Sequence, residues 1–367
     1  MKKTIYIIDF IGIHSGLQYY DDVFAKELST IEGIEVHILS NYSDDPLKKP
    51  FLKNFFSGNL VTNTMKVFQA YISILYLMVF KRHTHFILLA YGGFIDILFM
   101  TLAIFFKNIT IDVHDVYALD FSKNKFIRFF LDLLYRYFVK SAIIHSERSL
   151  YLLQQINYQK KLFEIPHFKY SFKKKYNESN IHTGIINATK TCRIKILFFG
   201  YIRYSKGIDI LLDSFNLLPV ELQNKFHLII AGNDTNNILN KFDIQNNDNI
   251  SIFSQYINDD ELVYLFSNVN YIMLPYKEIS QSGILEMAFY FQKPIVASRI
   301  SYFEKILNTY PSFGLIFNNT VEDLAQTISL LPSLTQNFYD KNEVRNFEQR
   351  DKIYRFLSDF SKFIKNE

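Results

Sequence analysis

Two doubly wound α/β domains are the fold this sequence predicts, and three observations predict it. The chain has 367 residues, long for one typical domain and sufficient for two that each bury a core. Short β-branched runs alternate with helix-period stretches, the pattern of a parallel sheet covered on both faces. That alternation stops at a polar stretch and then restarts. With 49% hydrophobic and 21% charged residues, the composition is that of a folded protein rather than a disordered one.

The first series runs "TIYIIDF", "YYDDVFAKELSTI", "IEVHILS", "HFILLA", "NITIDVHD" and "SAIIHSE". The opening "MKKTIYIIDFIGIHSG" has the basic start of a signal peptide, but Asp9 cuts its apolar run short and no small-residue cleavage site follows, so it reads as a buried strand. The apolar run 86–106 approaches membrane-spanning length. Gly92 and Gly93 split it and Asp96 sits inside its second part, which predicts a strand, a turn and a helix. Residues 170–191 are polar, basic and without apolar periodicity, as in a linker. The second series is "RIKILFFG", "HLIIAG", "NISIFS", "NYIMLPY" and "KPIVAS". Ile353, Leu357, Phe360 and Ile364 recur at helical spacing, predicting a terminal helix that packs on one domain or bridges both. The expected organisation is therefore a domain over 1–170, a linker over 171–191, a domain over 192–340 and a terminal helix within 341–367.

A net charge of +4 is too small to point to nucleic acid. The single cysteine, Cys192, excludes an internal disulfide framework and a cysteine-based metal site, and fits a reducing, cytoplasmic compartment. Residues 121–142 mix Lys123, Lys125, Arg128, Arg136 and Lys140 with aromatic and leucine side chains. Two readings stand side by side: a helix lying on an anionic membrane surface, or an ordinary packed helix with a solvated face.

Ligands of doubly wound sheets bind beyond the carboxyl ends of the strands. In "FFGYIRYSKGIDILLDSF" (198–215), Gly200 ends a strand, and Ile208, Leu211, Leu212 and Phe215 form the buried stripe of a helix. Arg203 and Lys206 fall in the loop between them. A strand-end loop beside a helix start favours anions. A guanidinium that engages two oxygens and an ammonium that adds a point charge suit a diphosphate. Each cation about 4 Å from the anion contributes on the order of 4 kcal/mol at an intermediate dielectric. In "LPYKEISQSGILEMAFYFQKPIVAS" (274–298), a strand ends at Pro275 and a helix begins near Ser282 and Gly283, with Ile284, Met287, Ala288 and Phe291 as its expected buried face. Glu278 lies in the turn and Glu286 in the first helical turn. Read alone, Glu278 is a surface carboxylate and Glu286 a favourable charge at a helix N-terminus.

Together these stretches resemble the retaining, nucleotide-sugar-dependent glycosyltransferases of the GT-B fold, a large bacterial family that includes mannosyl- and glucosyltransferases of surface polysaccharides. Its hallmark is two glutamates with seven residues between them, matched by Glu278 and Glu286. The resemblance is strong over 194–300 and weaker in the N-terminal half, where "IDVHD" (111–115) and "IIHSE" (143–147) carry it. The family's Arg and Lys commonly stand further apart than Arg203 and Lys206 do.

The resemblance implies a GT-B architecture: two Rossmann-like domains facing across a cleft, with the terminal helix packing back across them. It further implies that Arg203 and Lys206, in the loop after Gly200, bind the donor diphosphate, that Glu286 binds the ribose, and that Glu278 contacts the donor sugar. Backbone N–H groups at Gln281, Ser282 and Gly283 would assist. His114 would lie near sugar and acceptor, and Gly12 and Gly16 would allow close backbone approach. The implied reaction moves a hexose from a UDP- or GDP-linked sugar to a glycan acceptor, lipid-linked, at the inner membrane face. No metal or other cofactor is expected, the two cations taking the charge-neutralising role. A dinucleotide-dependent oxidoreductase would need G-x-G-x-x-G at the first strand-to-helix turn, and "DFIGIHSGLQYY" lacks it. A non-catalytic nucleotide-sugar binder would keep the fold but lose the charged site.

Overall fold

The structure, a computed structural model, describes residues 3–12, 18–42, 48–50, 59–81, 83–118, 124–165, 176–242, 247–279, 282–334, 338–347 and 350–365. The chain forms two compact units, Met1–Phe168 with Gln349–Glu367, and Lys169–Glu348. Each is a parallel sheet with helices packed on it.

In the first unit the strands are β1 (Lys3–Ile8), β2 (Ile34–Ser40), β3 (Lys48–Pro50), β4 (Thr84–Ala90), β5 (Ile109–Val113), β6 (Ser141–Ile144) and β7 (Lys161–Glu164), in the order β3-β2-β1-β4-β5-β6-β7. The order reverses at β1, because α1 (Gln18–Leu28) carries the chain one way to β2 and α2 (Leu60–Phe80) carries it back to β4. Right-handed crossovers then place α1 on one face and α2, α3 (Phe94–Met100), α4 (Leu102–Phe105) and α5 (Lys125–Leu133) on the other. The 86–106 run is thus β4, a turn at Gly92 and Gly93, then α3 and α4. Asp96 is buried and accepts from the N–H groups of Tyr91 (3.1 Å) and Gly93 (2.7 Å), closing the turn that begins α3. No helix among the described residues is long and apolar enough to cross a membrane.

The single helix expected over 121–142 is shorter. After α5 the chain takes one π-helical turn over Leu134–Phe138 and is extended again at β6. Lys123 lies outside the described residues. The last helix of the chain belongs to this unit. Its Phe360 ring sits 5.2 Å from Phe163 of β7 and 5.7 Å from His85 of β4, and Phe356 lies 6.1 Å from Phe24 of α1. Ile353, Leu357, Phe360 and Ile364 are all buried, as their spacing predicts.

The second unit opens with α7 (Thr183–Thr189), which follows α6 (Glu147–Gln155) of the first. Its strands are β8 (Ile194–Phe199), β9 (Phe226–Ala231), β10 (Ile250–Phe253), β11 (Tyr271–Leu274), β12 (Ile295–Ser298) and β13 (Gly314–Phe317), in the order β10-β9-β8-β11-β12-β13. Its other helices are α8 (Ile208–Leu217), α9 (Val220–Gln223), α10 (Asp259–Asn268), α11 (Gly283–Tyr290), α12 (Ser301–Thr309), α13 (Val321–Leu330) and α14 (Lys341–Phe347); α15 (Arg350–Lys365) is the returning helix described above. The reversal point here is β8.

Two sequence expectations change in this unit. The stretch 171–191 is not all linker: Ile181, Ile185 and Ala188 are buried, and the Thr189 hydroxyl donates to Tyr264 of α10 at 3.1 Å, so α7 is part of the folded unit. In α11 the buried residues are Leu285, Glu286, Met287, Ala288 and Phe289, whereas Ile284 and Phe291 are only half-buried. A helix enclosed on most sides offers no single apolar face for periodicity to find.

Candidate functional site

In the second unit the site is built on the reversal point. After β8 the chain passes Gly200, makes a single 3-10 turn at Tyr204–Lys206 and enters α8 through Gly207. Gly207 has φ +68°, and a Cβ there would fall 1.8 Å from the Pro275 carbonyl oxygen, so only glycine lets the loops after β8 and β11 touch. A second stitch lies beside it, where the Lys277 N–H donates to the Ser205 carbonyl at 2.9 Å. The Lys277 ammonium also pairs with Asp209 of α8 at 2.6 Å. The loop of Arg203 and Lys206 and the loop of Glu278 are thereby held as one surface.

Lys206 reaches back under this surface. Its ammonium lies 5.3 Å from the Tyr276 ring centroid and 3.1 Å from where a Gly200 Cβ would stand, and that Cβ would be 3.4 Å from Ile284 in the first turn of α11. Lys206, Gly200 and the start of α11 therefore meet. Burial, and secondly the charge of Arg203, push the Lys206 pKa down to about 8. No ion pair engages Lys206 among the described residues. Arg203 is exposed, its guanidinium 5.1 Å from the Tyr201 ring. Two cations in one loop, the ammonium of Lys206 short of solvent and raised in energy by Arg203, leave positive charge that an anion would offset.

At the start of α11, Ser282 is the N-cap, its Oγ accepting from the Leu285 N–H at 3.2 Å. Gly283 is the first helical residue. Glu286 is buried in the first turn, and Tyr302 and Tyr339 stand near it, their hydroxyls pushed up by burial first and by Glu286 next. Glu278 is exposed in the preceding loop. The structure thus brings Gly200, Arg203, Lys206, Glu278, Ser282, Gly283 and Glu286 onto two stitched loops and one helix start. Gln281 lies outside the described residues, as does Gly16.

The first unit carries the other named residues. His114 follows β5 and is buried, with its ring stacked on those of Tyr91 (5.4 Å) and His145 (5.1 Å) and edge-on to Tyr20 (4.8 Å). Burial lowers its pKa to about 4, with His145 adding to the effect and Asp112 opposing it, so it is a neutral imidazole at physiological pH. Asp112 is where burial loses: on its own burial would raise the carboxyl, but His145 at 2.5 Å, the Tyr20 hydroxyl at 2.7 Å and His114 bring it below the usual range. Asp112, His114 and His145 are close enough, with ligand atoms within 4.8 Å of one another, to share an ion. Gly12 packs against the end of β2, where a Cβ would meet Asn41 at 2.1 Å and Ser40 at 2.4 Å.

Sequence reading singles out His114 and passes over its partners. Asp112 lies on β5 two residues before it, and His145 directly follows the next strand, so strand alternation across adjacent segments was the available signal. It also passes over Asp9 and Asp21. Both are buried, with Tyr91 donating to Asp9 at 2.7 Å and Tyr42 to Asp21 at 2.5 Å. Burial raises both carboxyls, and the charge of Asp9 raises Asp21 further. Nothing in their sequence spacing shows that two buried carboxylates influence each other here.

Residues 186–345 match the family model described as glycosyl transferases group 1. Solved structures resemble the chain over its length. Sucrose-phosphate synthase from Thermosynechococcus elongatus has a TM-score of 0.67 at 13% identity, covering 100% of this chain and 99% of that one. WaaG, a glycosyltransferase involved in lipopolysaccharide biosynthesis, has a TM-score of 0.65 at 14% identity, covering 99% and 100%. HepE from Anabaena, solved with UDP and glucose, has a TM-score of 0.64 at 12% identity, covering 100% of both chains. No curated protein sequence matches the chain significantly. The family match falls on the unit that holds the two stitched loops and the start of α11, and the likeness to solved structures over the whole chain gives it the GT-B fold of two parallel-sheet units.

Proposed function

We propose that the chain transfers a hexose, with retention of anomeric configuration, from a UDP- or GDP-linked sugar to a hydroxyl of a lipid-linked glycan acceptor, in bacterial surface polysaccharide synthesis at the cytoplasmic face of the membrane. The observation that carries the donor assignment is Lys206: an ammonium drawn under the β8 loop to the start of α11, beside Arg203. Its charge is costly where it stands and becomes favourable when a polyanion arrives. HepE has been solved with UDP and with UDP-glucose, which supports the same donor class for this chain.

In this scheme Arg203 and Lys206 hold the diphosphate and stabilise its charge as the sugar–oxygen bond breaks, which is the role a metal would otherwise take. Glu286 accepts from the ribose hydroxyls. Glu278 accepts from sugar hydroxyls and stabilises positive charge growing at the anomeric carbon. Backbone N–H groups of Gln281, Ser282 and Gly283 at the start of α11 complete the anion site. His114, neutral at physiological pH, serves the sugar and acceptor as a hydrogen-bonding group rather than as a charge. Gly12 and Gly16 belong to the acceptor-side loop.

A thermal-shift series with UDP, GDP, NAD and NADP tests the donor class. A nucleotide at a hundred times its dissociation constant adds roughly 2.7 kcal/mol to stability. UDP or GDP should shift the transition, and Lys206→Ala should abolish that shift. A shift with NAD or NADP alone would overturn the reading; a shift without transfer to any acceptor would leave a nucleotide-sugar binder.

A further inference from the structure

The outer side of the first unit's helical layer is apolar, and nothing in the sequence motifs accounts for it. In α2, Val61, Met65, Phe68, Ile72, Tyr76 and Val79 are between 48% and 66% exposed. At 3.6 residues per turn these six fall within an arc of about 80°, forming a stripe about 27 Å long. The opposite side of the same helix is apolar too, with Ala70, Ile74 and Met78 buried against the sheet. A helix apolar on both sides is ordinarily enclosed, in a core or by lipid.

The stripe continues onto the neighbouring helices. Tyr71 of α2 packs on Phe99 of α3 at 5.6 Å, and its hydroxyl meets the Thr101 hydroxyl at 3.1 Å. Phe94 of α3 stacks on Phe126 of α5 at 6.4 Å. Along this layer Phe94, Phe105, Phe126 and Phe129 are each more than half exposed. A contiguous patch of this kind on a folded surface marks a docking face.

Charge decides what docks there. From residue 46 to residue 111 the sequence has one carboxylate, Asp96, against a lysine or arginine at 48, 49, 53, 66, 81, 82 and 107. Asp96 is buried and capping α3, so it does not face the patch, and on α5 the half-buried Asp132 is engaged by the Tyr117 hydroxyl, over whose ring Arg128 lies at 4.9 Å. Lys81 at the end of α2, Lys107 after α4, and Lys125 and Arg128 on α5 are exposed beside the apolar side chains. A protein partner of ordinary composition would need no such exclusion of acids. Aromatic and aliphatic side chains flanked by lysine and arginine, with Asp96 buried and Asp132 engaged by Tyr117, match a bilayer of anionic lipid.

We infer that the outer face of α2, α3, α4 and α5 seats the protein on an anionic membrane surface, the apolar stripe of α2 entering the headgroup–acyl boundary and the flanking cations pairing with lipid phosphate. The contact lies flat on one leaflet, in keeping with the lack of a spanning helix among the described residues. This deepens the proposed function and rests on it for the lipid-linked acceptor. It also replaces the helix at 121–142 as the main contact, leaving α5 as one edge of a wider face.

Flotation of the full chain with vesicles tests it. The wild type should float with vesicles of phosphatidylcholine and phosphatidylglycerol, and float poorly with phosphatidylcholine alone or at high salt. The triple variant Met65→Gln, Phe68→Ser, Ile72→Gln removes exposed side chains only. It should lose about tenfold or more in vesicle binding while keeping its thermal transition and its shift with UDP or GDP. Lys125→Glu with Arg128→Glu should weaken binding to the anionic vesicles alone. A wild type that stays unbound, or a triple variant that floats equally well, would overturn the inference. So would a wild-type dimer that the triple variant converts to monomer, since a second copy would then cover the face. Vesicle binding without any nucleotide shift would instead sink the donor-site reading and leave this one standing.

Discussion

Lys206 is a side chain whose cost in the fold is explained by the role proposed for it. Its pKa stands at about 8 in the fold against 10.5 when free. A lowered lysine pKa means that the unfolded chain binds the proton more tightly, so the penalty is present in full below about pH 8 and fades as pH rises toward 10.5, with a size on the order of 3 kcal/mol. Lys206→Met should therefore raise the melting temperature at pH 7 while abolishing the response to UDP or GDP; a variant both less stable and nucleotide-binding would contradict this assignment. A bound diphosphate should return the proton affinity toward normal, so nucleotide affinity of the wild type should fall as pH climbs above about 8. Isothermal titration in buffers of different ionisation enthalpy would show the proton uptake. Among the remaining site residues, Lys206→Ala and Glu286→Ala should each reduce transfer by orders of magnitude, whereas Cys192→Ser, at an exposed position, should change it little. Equal rates in all three would remove the site from this loop. The places of Glu286 in the first turn of α11 and of Arg203 and Lys206 in the loop before α8 were legible from the turn and helix signals around them. Asp112, His145, Asp9 and Asp21 were not, because their meaning comes from neighbours on other strands.

Elements differ in how much of themselves they show in sequence. Strands at the centre of each sheet, such as β1, β5, β8 and β11, are short apolar runs bounded by turn residues, and the sequence displays them plainly. Edge strands vary: β10 shows as "NISIFS", whereas β7 spans only Lys161–Glu164, too few residues for a period to emerge. The helix α2 is missed for the opposite reason, since a helix apolar on both sides has no contrast for periodicity to detect. The loop that joins β8 to α8 is legible only through its glycine. Gly207→Ala should cost about 2–4 kcal/mol, because the left-handed backbone penalty and the clash with the Pro275 carbonyl add. Gly33→Ala is the control, with φ +81° but no atom within 4 Å of the added carbon. It should cost only the backbone penalty, about 1 kcal/mol. Thermal melts of the two variants separate strain from collision, and the nucleotide shift should fail in the first and survive in the second. Similar melting temperatures would mean that the stitch to Pro275 gives way without consequence.

At the scale of the whole molecule, chain order and spatial order part company. The chain leaves the first unit near residue 168, builds the second, and returns for its last helix. The heptad-like spacing of Ile353, Leu357, Phe360 and Ile364 reveals a buried face but not which unit receives it; that depends on Phe24, Phe163 and His85, which lie far earlier in sequence. Four apolar side chains at about 1.5–3 kcal/mol each amount to roughly 6–12 kcal/mol of burial, the same size as the 5–15 kcal/mol net stability of a domain. Ending the chain at residue 348 should thus unfold the first unit rather than trim it. The second unit keeps all of its strands and its own core, including Phe198, Phe215 and Phe226, and should remain folded. Two readouts follow from that asymmetry. Limited proteolysis of the shortened chain should degrade residues 1–168 and spare a fragment that begins near residue 176. The fragment should still be stabilised by UDP or GDP, because Arg203, Lys206 and Glu286 all lie within it. Transfer should be lost, since His114 goes with the unfolded unit. A shortened chain that resists protease throughout would show that α15 contributes little to the first unit's core.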